Sequence, residues 1–339
     1  MERGGYASDL LRACSRGLEP RDAGLASEIV FGCLRFQSQL DFLIGHYSGR
    51  PARRLDLEVC LALRMGIYQL RYLDRVPAHA AVSGSVELVK QAGKRSAAGF
   101  TNAVLRKVGT EPVAWPDRAT ELAHPAWLLE RWEGQFGAET AEGIAQAFLK
   151  APETYVRGGR IQDIGSQSIV PLLELGPGLT FLDLCAAPGN KTAQALESGV
   201  EAIACDVHFS RLQGLKPLGC GLVQLDAAAP LPFRTRFDRI LLDAPCSGTG
   251  TLGRNPEIKW RLRPGDLARL HELQVRLLGN ALDGLAPGGR LVYSTCSLEP
   301  EENEAVLLEV LGHVPERKLR RLPGIDAGDG FFAAVIGST

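Results

Sequence analysis

Thr180-Phe-Leu-Asp-Leu-Cys-Ala-Ala-Pro-Gly-Asn-Lys191 begins as an apolar run, opens into a loop of small residues and continues into a helical stretch. A strand that ends in such a loop and then a helix is the form of a nucleotide-type cofactor site at the carboxyl edge of an α/β sheet. Outward from this stretch, from about Arg160, strands and helices alternate as in a Rossmann-like parallel sheet with crossover helices. The apolar runs predict strands at 180–184, 201–206, 221–226, 237–243 and 289–294, with helices at 191–198, 209–218, 264–285 and 300–311. Asp183, Asp206, Asp226 and Asp243 stand at or near four of these strand ends. One aspartate there is usually a turn former or a helix cap. Its recurrence from strand to strand argues for a ligand crevice.

The loop Cys185, Ala186, Ala187, Pro188, Gly189, Asn190 and Lys191 is not Gly-x-Gly-x-x-Gly and holds a single glycine. It is poorly suited to wrapping a pyrophosphate, but it suits a cofactor without phosphates that is approached by backbone, which favours S-adenosylmethionine over a dinucleotide. Asp206 lies about 20 residues beyond the loop, where such folds place an acid on a ribose hydroxyl pair.

Two cysteines follow strand ends. Cys246 stands in Asp-Ala-Pro-Cys-Ser-Gly-Thr-Gly (243–250) and Cys296 in Tyr-Ser-Thr-Cys-Ser (293–297). A free cysteine is most often a small buried hydrophobe, and Cys14, Cys33, Cys60, Cys205 and Cys220 are expected to be that. Pro-Cys-Ser-Gly and Ser-Thr-Cys-Ser are loop contexts rich in donors, expected to expose a thiol and lower its pKa. If the fourth strand lies beside the first and the fifth beside the fourth, both thiols converge. Two thiols suit covalent chemistry on a pyrimidine: carbon 5 of cytosine becomes nucleophilic once a thiolate adds at carbon 6, and a second group can help resolve the adduct. A carboxyl at Asp243 could bond the N3/N4 edge of the base. A DNA methyltransferase with a Pro-Cys nucleophile is disfavoured by the second cysteine motif.

The 339 residues suffice for two domains, and 45% hydrophobic with 23% charged residues is ordinary for a soluble protein. The net charge of −1 hides an asymmetry, because residues 1–110 hold 16 Lys and Arg against 10 Asp and Glu. A basic front end suits a polyanion, although such an excess is also ordinary for a solvated surface. Eight cysteines without a Cys-x-x-Cys pair or a zinc spacing read as reduced thiols, with no metal site. Met-Glu-Arg-Gly-Gly-Tyr lacks a signal-peptide layout and no run approaches the ~18 apolar residues of a membrane span, so a cytoplasmic location is expected. A monomer without an obligate protein partner is expected as well. From Ser8 to about Val108 apolar residues recur at helical spacing: Leu25, Ile29, Val30 and Leu34, then Leu40, Leu43 and Ile44, then Leu61, Leu63, Ile67 and Leu70. A linker at 109–116 precedes a further helical piece through Trp127, Leu128, Trp132, Ile144 and Phe148.

At these motifs the chain resembles the Sun/RsmB family of S-adenosylmethionine-dependent RNA cytosine-5 methyltransferases. The likeness is carried by Leu-Asp-Leu-Cys-Ala-Ala-Pro-Gly-Asn-Lys (182–191), Asp-Ala-Pro-Cys-Ser-Gly-Thr-Gly, and Ser-Thr-Cys-Ser with the nearby Pro-Glu-Glu-Asn-Glu (300–304). It implies that Cys296 is the nucleophile, that Cys246 assists product release, that Asp243 and Lys191 serve catalysis, and that 185–191 with Asp206, Asp226 and Asp243 bind the cofactor. The front end is similar to an all-α RNA-binding domain of NusB type, in Ile29-Val-Phe-Gly-Cys-Leu-Arg35, Leu40-Asp-Phe-Leu-Ile44 and Phe100-Thr-Asn-Ala-Val-Leu-Arg106. The expected organisation is a NusB-like domain at 1–110, a linker with a small helical segment at 111–159, and a methyltransferase domain at 160–339. That pairing implies small-subunit ribosomal RNA as substrate, with the same chemistry on tRNA as the alternative. Two departures stand out: Asn190 replaces the usual glycine, and Glu153-Thr-Tyr-Val-Arg157 runs almost directly into Gly159-Arg-Ile-Gln-Asp-Ile-Gly-Ser-Gln167, where the family inserts a small α/β RNA-contacting subdomain. The first helix also starts short. If the missing subdomain abolishes docking, the chain is a silent RNA-binding assembly factor.

Overall fold

The computed structural model describes residues 6–337. Residues 1–5, part of the stretch read for a signal peptide, lie outside the described residues. The chain forms two compact units: one from the described residues up to Lys150 together with Asn255–Trp260, the other from Ala151–Arg254 and from Arg261 onward.

The first unit is helical, with its longer helices at Pro20–Arg35, Gln37–Ser48, Leu57–Tyr72, Ala78–Gln91, Ala126–Phe136 and Ala138–Phe148. Leu40, Leu43, Ile44, Leu63 and Ile67 are fully buried, as their spacing predicts, whereas Leu25 and Leu61 from the same pattern are exposed. The motif glycine Gly32 is demanded by packing: an added Cβ would stand 1.9 Å from the ring of Tyr68, whose hydroxyl donates to Glu28. Within this unit Lys259 Nζ donates to the carbonyl of Arg35 and Trp260 Nε1 to that of Leu34.

The second unit is built on a seven-stranded sheet: β1 Thr180–Asp183, β2 Glu201–Asp206, β3 Gly221–Gln224, β4 Phe237–Asp243, β5 Leu285–Thr295, β6 Lys318–Arg321 and β7 Phe331–Gly337. Their spatial order is β3-β2-β1-β4-β5-β7-β6, parallel except for β7, which runs antiparallel to both β5 and β6. β4 therefore lies beside β1, and β5 beside β4, the arrangement on which convergence of the two thiols depends. The central strands alternate between two cores. Leu182, Ile240, Leu242, Leu291 and Tyr293 point into one, and Phe181, Leu241 and Val292 into the other.

Several element ends differ from expectation. β5 starts at Leu285 rather than at 289, because Pro287 and Gly288, at φ 70°, are absorbed as an irregularity between the pairs Phe237–Leu285 and Arg239–Arg290. The helix expected at 300–311 is a 3₁₀ turn at Pro300–Glu302 followed by Glu304–Leu311, broken at Asn303. The helix expected at 209–218 holds α geometry only over Phe209–Leu212 and tightens to a 3₁₀ turn where Pro217 intervenes. At the point where the inserted subdomain is expected to be missing, Val156–Arg157 pairs with Arg160–Ile161 as a hairpin. Gly158 and Gly159 both take positive φ, which a two-residue hairpin turn of this kind requires.

Candidate active site

The loop after β1 is held in place by backbone bonds to β2. Ala186 N–H donates to the carbonyl of Cys205, and Ala187 N–H and His208 N–H donate to the two oxygens of Asp206. Gly189 caps the helix Asn190–Leu196 at φ 97°, and an added Cβ would meet the Leu215 side chain at 2.7 Å, so both backbone and packing require glycine. Asn190 sits on the helix side of that cap, not among the residues with positive φ, and its Nδ2 donates to the carbonyl of Ile161 in the hairpin. Its replacement of glycine thus costs no left-handed backbone. Burial and the adjacent Asp183 push the Cys185 thiol well above its ordinary pKa, which leaves it a wall of the loop rather than a nucleophile.

Leu184, Cys185, Ala187, Asp206, Asp226, Asp243 and Leu277 are among the residues lining a cavity of about 250 Å³ at the carboxyl ends of β1 to β4. Asp206 is buried, while Asp226, two residues beyond β3, is exposed and accepts from its own turn at Ala228 N–H. Three carboxyl side chains against Arg211 and His208 make a wall that repels a pyrophosphate and suits a cation with sugar hydroxyls. Behind this wall Asp183 is 1% exposed; its Oδ2 accepts from Thr192 Oγ1 at 2.7 Å, and its Oδ1 has no hydrogen-bond partner.

Burial holds the Asp183 carboxyl up at about 7, with the Thr192 bond opposing and Asp243 adding. The folded protein therefore keeps a proton that an unfolded aspartate releases near pH 4. Stability from this group is fullest below that pH and is lost as pH rises through about 7. Asp183→Asn should remove roughly 4 kcal/mol of that variation. Urea midpoints between pH 4 and 8 should then vary less with pH than in the wild type. An unchanged slope would contradict this account of the group.

Lys191 and Asp243 form one pair: Lys191 Nζ stands 2.6 Å from Asp243 Oδ2, and Asp243 Oδ1 accepts from Ser294 Oγ at 2.8 Å. Burial opposes the Lys191 charge, but Asp243 outweighs it and the pKa rises, with Cys296 contributing in the same direction. The ammonium also lies over the Phe331 ring, 5.2 Å from its centroid.

Cys246 Sγ and Cys296 Sγ lie 3.4 Å apart, within the second unit and beyond the adjacent ends of β4 and β5. That is a thiol–thiol contact and not a disulfide, whose sulfurs bond at about 2.05 Å. Both residues are partly exposed. The expectation of a lowered pKa fails for Cys246: its bond to Cys296, then burial, and the nearby Glu302 push it well above the ordinary thiol. Cys246 thus keeps its proton, and either sulfur can be the donor of the contact. Of the cysteines expected to be buried, Cys60 and Cys205 are, Cys33 and Cys220 are partly so, and Cys14 is exposed.

The loops that carry the two thiols are stitched to each other. Gly250 N–H donates to the Cys296 carbonyl, Leu298 N–H to Thr249 Oγ1, and Ser247 Oγ lies 3.1 Å from Ser297 Oγ. At Gly250 an added Cβ would stand 2.3 Å from the Gly330 carbonyl oxygen, so the backbones pass too closely for any side chain. The motif Pro-Glu-Glu-Asn-Glu (300–304) stands out in the sequence, but motif reading assigns no role to Glu302 and Asn303, which brace this region. Asn303 accepts from Thr295 Oγ1 and donates to the Ser297 carbonyl, and Glu302 receives the side chains of Ser247 and Ser297. The serine that follows each cysteine, with an acid a few residues downstream, was the available signal.

Residues 170–328 match the model of the family described as 16S rRNA methyltransferase RsmB/F, and residues 1–110 match the NusB family. The chain is 32% identical to the Klebsiella pneumoniae protein named ribosomal RNA small subunit methyltransferase B, over 99% of this chain and 95% of that one. A protein of the same name from Erwinia tasmaniensis is 31% identical with the same coverage. The Klebsiella alignment runs over 410 positions, more than the 339 residues here, so at least 71 positions of that relative have no counterpart in this chain. Among solved structures, PH0851 superposes with a TM-score of 0.78 at 23% identity, over 96% of this chain and 93% of that one. A methyltransferase homolog from Pyrococcus horikoshii gives 0.55 at 26% identity, over 67% of this chain and all of that one.

Proposed function

This chain belongs to the RsmB/F family of 16S ribosomal RNA methyltransferases, and from that premise we propose that it methylates carbon 5 of a cytidine through a covalent adduct on Cys296. Its cofactor is S-adenosylmethionine, which supplies an electrophilic methyl group when bound. The residues present fit that molecule. The acidic cavity wall suits a sulfonium and ribose hydroxyls, and the 185–191 loop offers backbone, its one cation, Lys191, being paired with Asp243. Cys185, Ala186, Ala187, Pro188, Gly189, Asn190 and Lys191 would hold it by shape and backbone, with Asp206, Asp226 and Asp243 as side-chain acceptors.

The observation that carries the chemistry is the 3.4 Å separation of two sulfurs beside the Lys191–Asp243 pair. The target base must leave its stack, because carbon 6 is attacked from the ring face. Cys296, its proton passing to solvent, would bond carbon 6 as a thiolate, and the displaced electron pair would make carbon 5 the nucleophile that takes the methyl group as the methyl–sulfur bond of the sulfonium breaks. Asp243 would bond the N3/N4 edge and favour its protonated form as negative charge builds there, while Lys191 holds Asp243 in place. Water would then take the carbon 5 proton, the freed electron pair would re-form the carbon 5–carbon 6 double bond and expel Cys296 as a thiolate, and Cys246, 3.4 Å from that sulfur, would assist by hydrogen-bonding it.

Asp206→Ala should weaken S-adenosylmethionine binding by about 1.5 to 3 kcal/mol, since a charge-assisted bond to the ribose is removed. Calorimetry without added metal measures it, and tighter binding of NAD than of S-adenosylmethionine would overturn the cofactor site.

With a hairpin in place of the inserted subdomain, rRNA docking falls to the basic first unit, where Arg53, Arg54 and Arg95 are exposed. Replacing these three by glutamine should lower the slope of log affinity against log salt by about 0.7 to 0.9 for each phosphate no longer neutralised, with cofactor binding unchanged. Filter binding of an rRNA fragment at several salt concentrations reads this directly. Equal slopes for wild type and variant would remove that surface from docking.

A further inference from the structure

We infer that Glu302 is the positioning residue of the two-thiol site, a buried clamp that sets the separation of Cys246 and Cys296 by gripping the residue that follows each of them. The inference rests on the proposed two-thiol chemistry for its meaning, but its geometry stands on its own. Glu302 is fully buried. Its carboxyl receives Ser247 N–H at 2.8 Å, the Ser247 hydroxyl, the Ser297 hydroxyl at 2.5 Å and Gln274 Nε2 at 3.1 Å. Four donors thus converge on two oxygens, the full acceptor capacity of a carboxylate. Ser247 lies in the loop after β4 and Ser297 in the loop after β5, and both hydroxyls bond the same oxygen, so one atom joins the two loops.

The clamp is itself anchored. Tyr293 in β5 donates its hydroxyl to the Glu302 carbonyl at 2.6 Å, and Gln274 also bonds the carbonyl of Pro245, which precedes Cys246. A buried carboxyl is costly to keep, and a group serving packing alone would be better apolar. Glutamine has nearly the same shape but presents an NH₂ to at least one of the converging donors. Aspartate keeps the acceptors and is one methylene short.

The test separates positioning from both folding and catalysis. Phenylarsine oxide forms two As–S bonds with a close pair of thiols and releases its oxygen as water with both thiol protons, without RNA or cofactor. Capture is scored as the part that disappears on Cys246→Ser, which corrects for the other cysteines. Glu302→Gln should reduce that part at least tenfold and lower kcat about a hundredfold with KM little changed, the cost of an ångström-scale misplacement. Glu302→Asp should fall between the wild type and Glu302→Gln on both readouts. Wild-type capture and kcat in Glu302→Gln would overturn the inference. If Glu302→Gln lacks a cooperative melting transition, Ser247→Ala with Ser297→Ala decides: reduced capture supports the clamp, and wild-type capture overturns it. If wild type and variants differ in capture but no RNA adduct is ever found, the clamp stands and the covalent reading falls.

Discussion

Cys296→Ala abolishes methyl transfer, by at least about 10⁴-fold, and leaves no covalent protein–RNA band on a denaturing gel, whereas Cys246→Ala forms that band and accumulates it. The expectation follows from the different places of two sulfurs 3.4 Å apart on one reaction path. Without the Cys296 sulfur nothing adds at carbon 6 and carbon 5 stays unreactive. Without Cys246, attack and methylation proceed, but the adduct lacks the neighbouring group that aids its release. Two merely structural cysteines would give similar modest stability losses and retained turnover. A band with Cys296→Ala but none with Cys246→Ala would exchange the roles and favour the arrangement of DNA methyltransferases with a Pro-Cys nucleophile.

The second large effect belongs to the Lys191–Asp243 pair. Asp243→Asn should lower the single-turnover rate by about 10² to 10⁴-fold, the range for a group that moves or stabilises a proton in the transition state. Lys191→Met should cause a comparable drop, because Asp243 then keeps only the Ser294 hydroxyl among the two side chains that now hold it. If the two act as one unit, the double variant is little worse than either single variant. Rapid-quench assays of all three decide this, and losses that multiply would show that the residues act separately.

Much of the second unit is legible in the sequence because its central strands are buried on both faces and end in acids. Residues 201–206 and 237–243 coincide with β2 and β4, and 180–184 and 221–226 overrun β1 and β3 by one or two residues. β6 and β7 lie beyond the alternating pattern. Lys318-Leu-Arg-Arg321 is a charged edge strand with no apolar run to announce it, and β7 is antiparallel, paired with β6 across the segment 322–330 and with β5 across a longer separation. In the site, the motifs bring Lys191, Asp243, Cys246 and Cys296 to notice, but not what joins them. Glu301 and Glu302 are indistinguishable in Pro-Glu-Glu-Asn-Glu, a stretch that reads as an acidic helix start. Only the fold shows that Glu302 is turned inward onto Ser247 and Ser297. The Cys246 thiol illustrates the reverse error, since donors nearby in sequence are outweighed by burial and a second sulfur in space.

The most direct test of the covalent reading is to locate the bond. Cys246→Ala protein incubated with S-adenosylmethionine and unmodified 16S rRNA is digested with nuclease and protease, and the cross-linked peptide is sequenced by mass spectrometry. The account predicts a peptide that contains Cys296, carrying one cytidine residue heavier by a methyl group at carbon 5. A methylated rRNA product with no adduct on any cysteine, or an adduct on a residue other than Cys296, would contradict it.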